Sequence, residues 1–182
     1  MREPITLNYI KERLTVNIAI ASKRISKDCW SLIPHSCEFD THKAKYARAF
    51  PDGVIRFNPA FIGTKAFNKL EAVIRHELAH CIVGLEQNHN KHFRRINDFL
   101  MDGLEVPEEE ILEVMSNTGF KWRLIYYTKV QIFAGLGSFK RTKKYTQYDP
   151  ESGRYMTING EKVLNCKYVK FEDPLPDGAK LL

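Results

Sequence analysis

Residues 64–84 read TKAFNKLEAVIRHELAHCIVG, and their apolar positions recur at helical spacing. Phe67, Leu70, Val73 and Ile74 open the stripe, and Leu78, Ile82 and Val83 continue it. Thr64 suits an N-cap and Gly84 a C-terminal stop, so the pattern predicts one helix over about 65–84. Within it His76 and His80 are four apart, which puts both imidazoles on one helical face, a turn from each other. Both rings can then reach a single zinc ion at about 2.0–2.1 Å. Glu77 directly follows the first histidine, where its carboxylate can handle the proton of a metal-activated water. The plainer reading is two hydrogen-bonded histidines on an amphipathic helix beside a surface glutamate.

Two imidazoles do not complete a catalytic zinc site, which typically uses three protein ligands and one solvent position. Beyond Gly84 the chain is polar through 85–91 and then apolar-periodic from Phe93 to Met101. That reads as a loop and a second helix, with Asn88 or Asn90 as the N-cap. His89 and His92 both fall at this junction, and spacing alone does not separate them. Glu105, Glu108, Glu109 and Glu110 are carboxylate alternatives. The better reading of these is structural, since acidic residues just after Pro107 suit the first turn of a further helix, one that ends by Asn117-Thr118-Gly119.

His76-Glu77-Leu78-Ala79-His80, a polar loop and then His89-Asn90-Lys91-His92-Phe93 resemble the SprT-like (Spartan-type) zinc metallopeptidases. Their pattern is a His-Glu-x-x-His helix followed by a His-Gly-x-x-Phe/Trp segment. The resemblance implies His76, His80 and His89 as zinc ligands, Glu77 as the catalytic residue and Phe93 as the family's aromatic position. His92 falls where the family places no ligand. Asn90 replaces the usual glycine, a mild departure because Asn also tolerates unusual backbone angles. Upstream, the segment from Lys43 to Phe50, the Pro51-Asp52-Gly53 turn and Val54 to Asn58 look like the family's β-hairpin before the metal helix. Read from residue types alone, this is also two strands about a turn. The likeness covers about residues 10–105 and weakens after that. Many members end in a zinc ribbon with paired cysteines. No Cys-x-x-Cys occurs here, so a second, structural zinc is not expected.

A chain of 182 residues is long enough for one well-buried core with a small appendage. No apolar run approaches membrane-spanning length, and Met1-Arg2-Glu3-Pro4 leads into no signal-peptide core. The expected location is cytoplasmic or nucleoid-associated (nuclear in a eukaryote), with no membrane partner. Cys29, Cys37, Cys81 and Cys166 are scattered and expected to stay reduced. Charge is uneven: residues 121–170 hold eleven Lys or Arg against three Asp or Glu, a net +8, whereas the rest sums to −2. Within that stretch Lys140, Arg141, Lys143 and Lys144 alternate with Phe139, Tyr145 and Tyr148. Cations neutralise phosphates and rings can stack on unpaired bases, so this module is the candidate contact for DNA. The plainer reading is a solvated surface whose aromatics face inward. His35 and His42 are isolated and expected at the surface or locally hydrogen-bonded.

Elsewhere, residues 5–27 read as helix, 29–39 as a short extended stretch, and 122–133 as aromatic, β-branched strand. Tyr155–Ile158 and Val163–Phe171 flank an Asn159-Gly160 hairpin turn. The tail with Pro174, Pro176 and Gly178 is expected to be loosely ordered. The chain therefore reads as α+β. Residues 1–118 form a zincin-like helical domain with a small antiparallel sheet. Residues 119–182 form a basic β-rich module resembling a zinc ribbon without its cysteines, with Trp122, Tyr126, Tyr127 and Phe133 expected to supply its core. The implied activity is zinc-dependent endopeptidase chemistry, with one Zn2+ per chain, acting on protein or peptide and in particular on DNA-associated proteins. The alternative is a zinc-containing nucleic-acid-binding protein without catalysis.

Overall fold

The computed structural model describes residues 2–40 and 45–182. It is an α+β protein with small sheets, divided into two compact units, Met1–Thr118 and Gly119–Leu182.

In the first unit, α1 (Leu7–Arg24) begins where the Thr6 hydroxyl accepts the Tyr9 N–H at 3.1 Å. That capping bond serves one of the unpaired amides at the start of a helix. Strands β1 (Ser36–Phe39), β2 (Ala47–Ala49) and β3 (Val54–Phe57) form a sheet of order β1-β3-β2. β2 and β3 run antiparallel around the expected turn, where Gly53 takes φ 78°. β1, however, runs parallel to β3, so the sheet is mixed rather than antiparallel. Four residues of strand carry too little pattern to reveal a partner's direction.

One face of this sheet is apolar, with Cys37, Ala47, Ile55 and Phe57 buried. The opposite face is ionic: Arg56 pairs with Glu38 and Asp52, and Arg48 holds Asp40 through two bonds of 2.7 and 2.8 Å. Period-two alternation sorts these side chains between core and solvent.

α2 (Phe67–Val83) runs through the core, with Leu70, Ile74, Leu78 and Cys81 fully buried. It packs against α1, α3 (Lys91–Met101), α4 (Glu108–Asn117) and β2. The start of α2 departs from expectation. Ala66 occupies its N-cap without a side-chain bond, while the buried Thr64 donates its hydroxyl to Phe61 O at 2.7 Å. The capping comes from α4 instead. Glu110 accepts the Lys69 N–H at 2.7 Å, and Glu113 accepts the Lys65 N–H at 3.0 Å just ahead of the helix. A carboxylate there satisfies an orphan amide and meets the positive end of the helix dipole. α2 stops at Gly84, whose φ of 106° suits glycine alone.

In the second unit, β4 (Trp122–Tyr127), β5 (Ile132–Ala134), β8 (Asn165–Lys170) and β9 (Lys180–Leu181) make a sheet of order β8-β4-β5-β9. Asn159 and Gly160 take φ 51° and 83° and join β6 (Thr157–Ile158) to β7 (Glu161–Lys162), as an Asn-Gly pair directs. That hairpin is only two residues deep, and the segment beyond Val163 pairs with β4 instead of with β6. The tail is more ordered than its Pro and Gly content suggests. β9 adds in parallel to β5, Leu182 N–H donates to Ala134 O at 3.0 Å, and the Gln131 amide donates to Gly178 O. The open edge of β5 is what the tail satisfies.

The core of this unit joins Leu124, Val163 and Cys166 to Tyr126, Tyr145, Tyr148, Met156, Ile158 and Tyr168. Phe133 is buried, whereas Trp122 and Tyr127 are half-buried beneath the cations of Arg141 and Lys167. All four cysteines are free, and no helix among the described residues is long and apolar enough to cross a membrane.

Candidate metal centre

His76 and His80 project from one face of α2 with ring centroids 5.0 Å apart, and His89 closes the triangle at 5.1 Å from each. One ring nitrogen from each lies within 4.8 Å of the others, close enough to hold one metal ion. The Nε2 atoms of His76 and His89 are 3.2 Å apart. Two donors each 2.0–2.1 Å from a tetrahedral ion stand about 3.4 Å from one another. The spacing therefore fits two ligands of a shared centre, and an all-imidazole donor set suits a transition metal such as zinc, copper, iron or nickel.

His92 and the glutamates do not join this group among the described residues. His92 is exposed in the first turn of α3, and Glu110 is engaged at the far end of α2.

The loop carrying His89 is held in several places. Asn90 caps α3 by accepting the Phe93 N–H at 2.9 Å, its amide donates to Gln87 at 2.8 Å, and Arg94 donates to His89 O at 3.1 Å. Asn90 has an ordinary φ of −69°, so its value here is as a cap rather than as a stand-in for glycine's freedom. The left-handed residue is Asn88, at φ 49°. Phe93, 3% exposed, stacks on His80 at 4.2 Å and meets His76 edge-on at 5.0 Å, forming an aromatic floor under both rings.

Burial first, and then the neighbouring imidazoles, push His76 and His80 down to about 4. Both are neutral at physiological pH, which keeps a lone pair free for a metal.

Glu77 is no surface residue. It is 6% exposed, and its Oε2 accepts the Ala49 N–H at 2.8 Å. Burial lifts its carboxyl to about 7, opposed by the Ala49 bond and by Lys45 and Arg48. A carboxyl poised near neutrality suits a group that must take a proton and then return it.

The sheet order leaves β2 at an edge. Tyr46 and Phe50 direct their backbone groups to β3, through Asn58 N–H to Tyr46 O at 2.8 Å and Phe50 N–H to Val54 O at 3.1 Å. The alternate residues Ala47 and Ala49 therefore turn theirs outward, and Glu77 takes the outward amide of Ala49.

Sequence reasoning singled out neither Ala49 nor Asn97, whose side chain lies against His76. Ala49 left no signal. Asn97 left one, a polar residue within the apolar stripe of Phe93, Ile96 and Leu100 on α3.

In the second unit, Lys140, Arg141, Lys143 and Lys144 are all exposed, in and just before the short helix α5 (Lys143–Thr146). The rings interleaved with them point the other way. Tyr145 and Tyr148 pack on the core, the Tyr148 hydroxyl donates to Val163 O at 2.8 Å, and Phe139 lies 4.7 Å from Phe120. These aromatics are committed to packing, which leaves the cations, with Thr142, Thr146 and Gln147, as the outward side chains of the segment. His35 is locally bonded, its Nε2 2.9 Å from Asp52 O. His42, and the hairpin's start at Lys43 and Ala44, lie outside the described residues. No family model matches the chain, and no curated protein or solved structure does either.

Proposed function

We propose that this protein is a zinc-dependent endopeptidase of the SprT-like type, with a zincin-like first unit, one Zn2+ per chain and a ribbon-like second unit that lacks a metal. The observation that carries the reading is the meeting of three imidazole nitrogens beside a buried glutamate, from helix α2 and the loop that follows it. His76, His80 and His89 would hold the ion. Bound there, zinc supplies Lewis acidity and brings the pKa of a water toward about 7. Glu77 receives the proton of the attacking water and later passes it to the departing amine. The Ala49 N–H fixes the carboxylate for both transfers. The outward backbone groups of Ala47 and the outward carbonyl of Ala49 offer an extended substrate a strand to pair with, so an unfolded or flexible polypeptide is the substrate class.

The exposed cations of the second unit support an extension of this reading, to substrates attached to DNA and a cytoplasmic, nucleoid-associated or nuclear setting. The same cations favour the second reading, a nucleic-acid-binding protein in which zinc is structural and nothing is hydrolysed. Glu77→Gln separates the two. Purified protein should contain one zinc and cleave a denatured protein, and E77Q should keep the zinc and lose cleavage. Wild-type protein that holds zinc and cleaves nothing, alone or with DNA, would leave only the second reading.

A further inference from the structure

Asn97 is the one polar residue on the stripe of α3 that faces α2. Its neighbours on that stripe, Phe93 and Leu100, are 3% and 5% exposed, and Ile96 packs against the same core. A polar group in such a position costs stability unless something hydrogen-bonds it. Yet Asn97 Oδ1 is sealed from solvent, and no donor among the described residues completes a well-formed bond to it. The group it faces is the His76 imidazole.

The register of the helices explains this. Phe93 stacks on His80 while Arg75 reaches Leu100 O and Met101 O at 3.0 and 2.9 Å, so α3 runs antiparallel to α2. One turn on from Phe93, Asn97 therefore meets the ring one turn back from His80, which is His76. His76 turns its Nε2 toward His89, leaving Nδ1 as the nitrogen on its other side.

We propose that Asn97 is a positioning residue for the metal centre, its Oδ1 accepting the Nδ1–H of His76. This rests on the reading of His76 as a ligand. A neutral imidazole carries one proton, and only the tautomer with that proton on Nδ1 offers a lone pair at Nε2. An acceptor beside Nδ1 selects that tautomer and fixes the ring's direction before any ion arrives. It also gives the otherwise orphaned Oδ1 its partner.

The test compares three forms of the full chain, wild type, Asn97→Leu and Asn97→Asp, by zinc competition against a chromogenic chelator, with thermal unfolding in excess chelator as a check on folding. Leu keeps the volume and removes the acceptor. Asp keeps an acceptor and adds charge. The positioning role predicts that N97L binds zinc about 10- to 100-fold more weakly, while N97D stays within a few fold of wild type or binds more tightly. A packing role predicts the reverse order, with the apolar variant at least as good as the acidic one. N97L equal to wild type, or both variants weakened alike, overturns the proposal. Failure of wild-type protein to bind zinc at all would instead overturn the metal reading on which it rests.

Discussion

The two units treat their chemistry-bearing side chains in opposite ways. In the first, Glu77, His76 and His80 are drawn into the interior, where burial lifts one carboxyl to about 7 and drops two imidazoles to about 4. In the second, Lys140, Arg141, Lys143 and Lys144 stand in solvent, and the aromatic rings between them turn inward to pack. Desolvation makes a few groups individually indispensable, because geometry and protonation are set by specific neighbours. Solvated cations act through their summed field, which salt screens and no single residue owns. Single substitutions should therefore be drastic in one unit and incremental in the other.

The sharpest probe of that contrast is Glu77→Gln, which keeps shape and removes the proton acceptor. Peptide cleavage should fall by about 10²- to 10⁴-fold with zinc content unchanged by elemental analysis; cleavage within a few fold of wild type would remove Glu77 from the mechanism. Next comes the third ligand. His89→Ala should weaken zinc binding by more than the roughly 10- to 100-fold typical of a lost supporting contact, whereas His92→Ala should change nothing. A reversal of that pair would move the ligand to His92.

A smaller effect is expected at the start of α2, where Glu110→Ala removes the acceptor for the Lys69 N–H. Loss of a helix cap costs about 0.5–2 kcal/mol, readable in urea unfolding with chelator present. An unchanged midpoint would mean that solvent serves that amide equally well. The smallest single effects belong to the second unit. If DNA binds there, Lys143→Ala should lower the slope of log affinity against log salt by about 0.9 and leave peptide cleavage in the absence of DNA untouched. One lysine abolishing all binding would contradict the summed-field picture.

Much of the first unit could be read from local pattern. α2 ends at Gly84 as its spacing predicts, α4 starts directly after Pro107, and Asn90 caps α3. These features depend on residues within one or two turns of each other, where side-chain period and capping chemistry act directly. Asn159-Gly160 was equally legible, because its turn type is written into those two residues. The failures share the opposite character. β1 runs parallel to β3, β9 ties down a tail rich in proline and glycine, and Thr64 stands outside the N-cap position while Glu110 serves α2 from a distant helix. Each depends on a partner far away along the chain.

The candidate site divides along the same line. Spacing alone placed His76 and His80 on one face with Glu77 beside them, because a helix brings residues four apart together whatever surrounds it. The third residue was implied only by the family resemblance, which points to His89, because spacing alone left His92 open; the folded loop brings His89, and not His92, to the pair. Tertiary packing likewise buried Glu77 against the edge of β2 and set Asn97 behind His76. Burial and long-range contact are properties of the whole fold. They set protonation and direction, which no short stretch of residues can encode by itself.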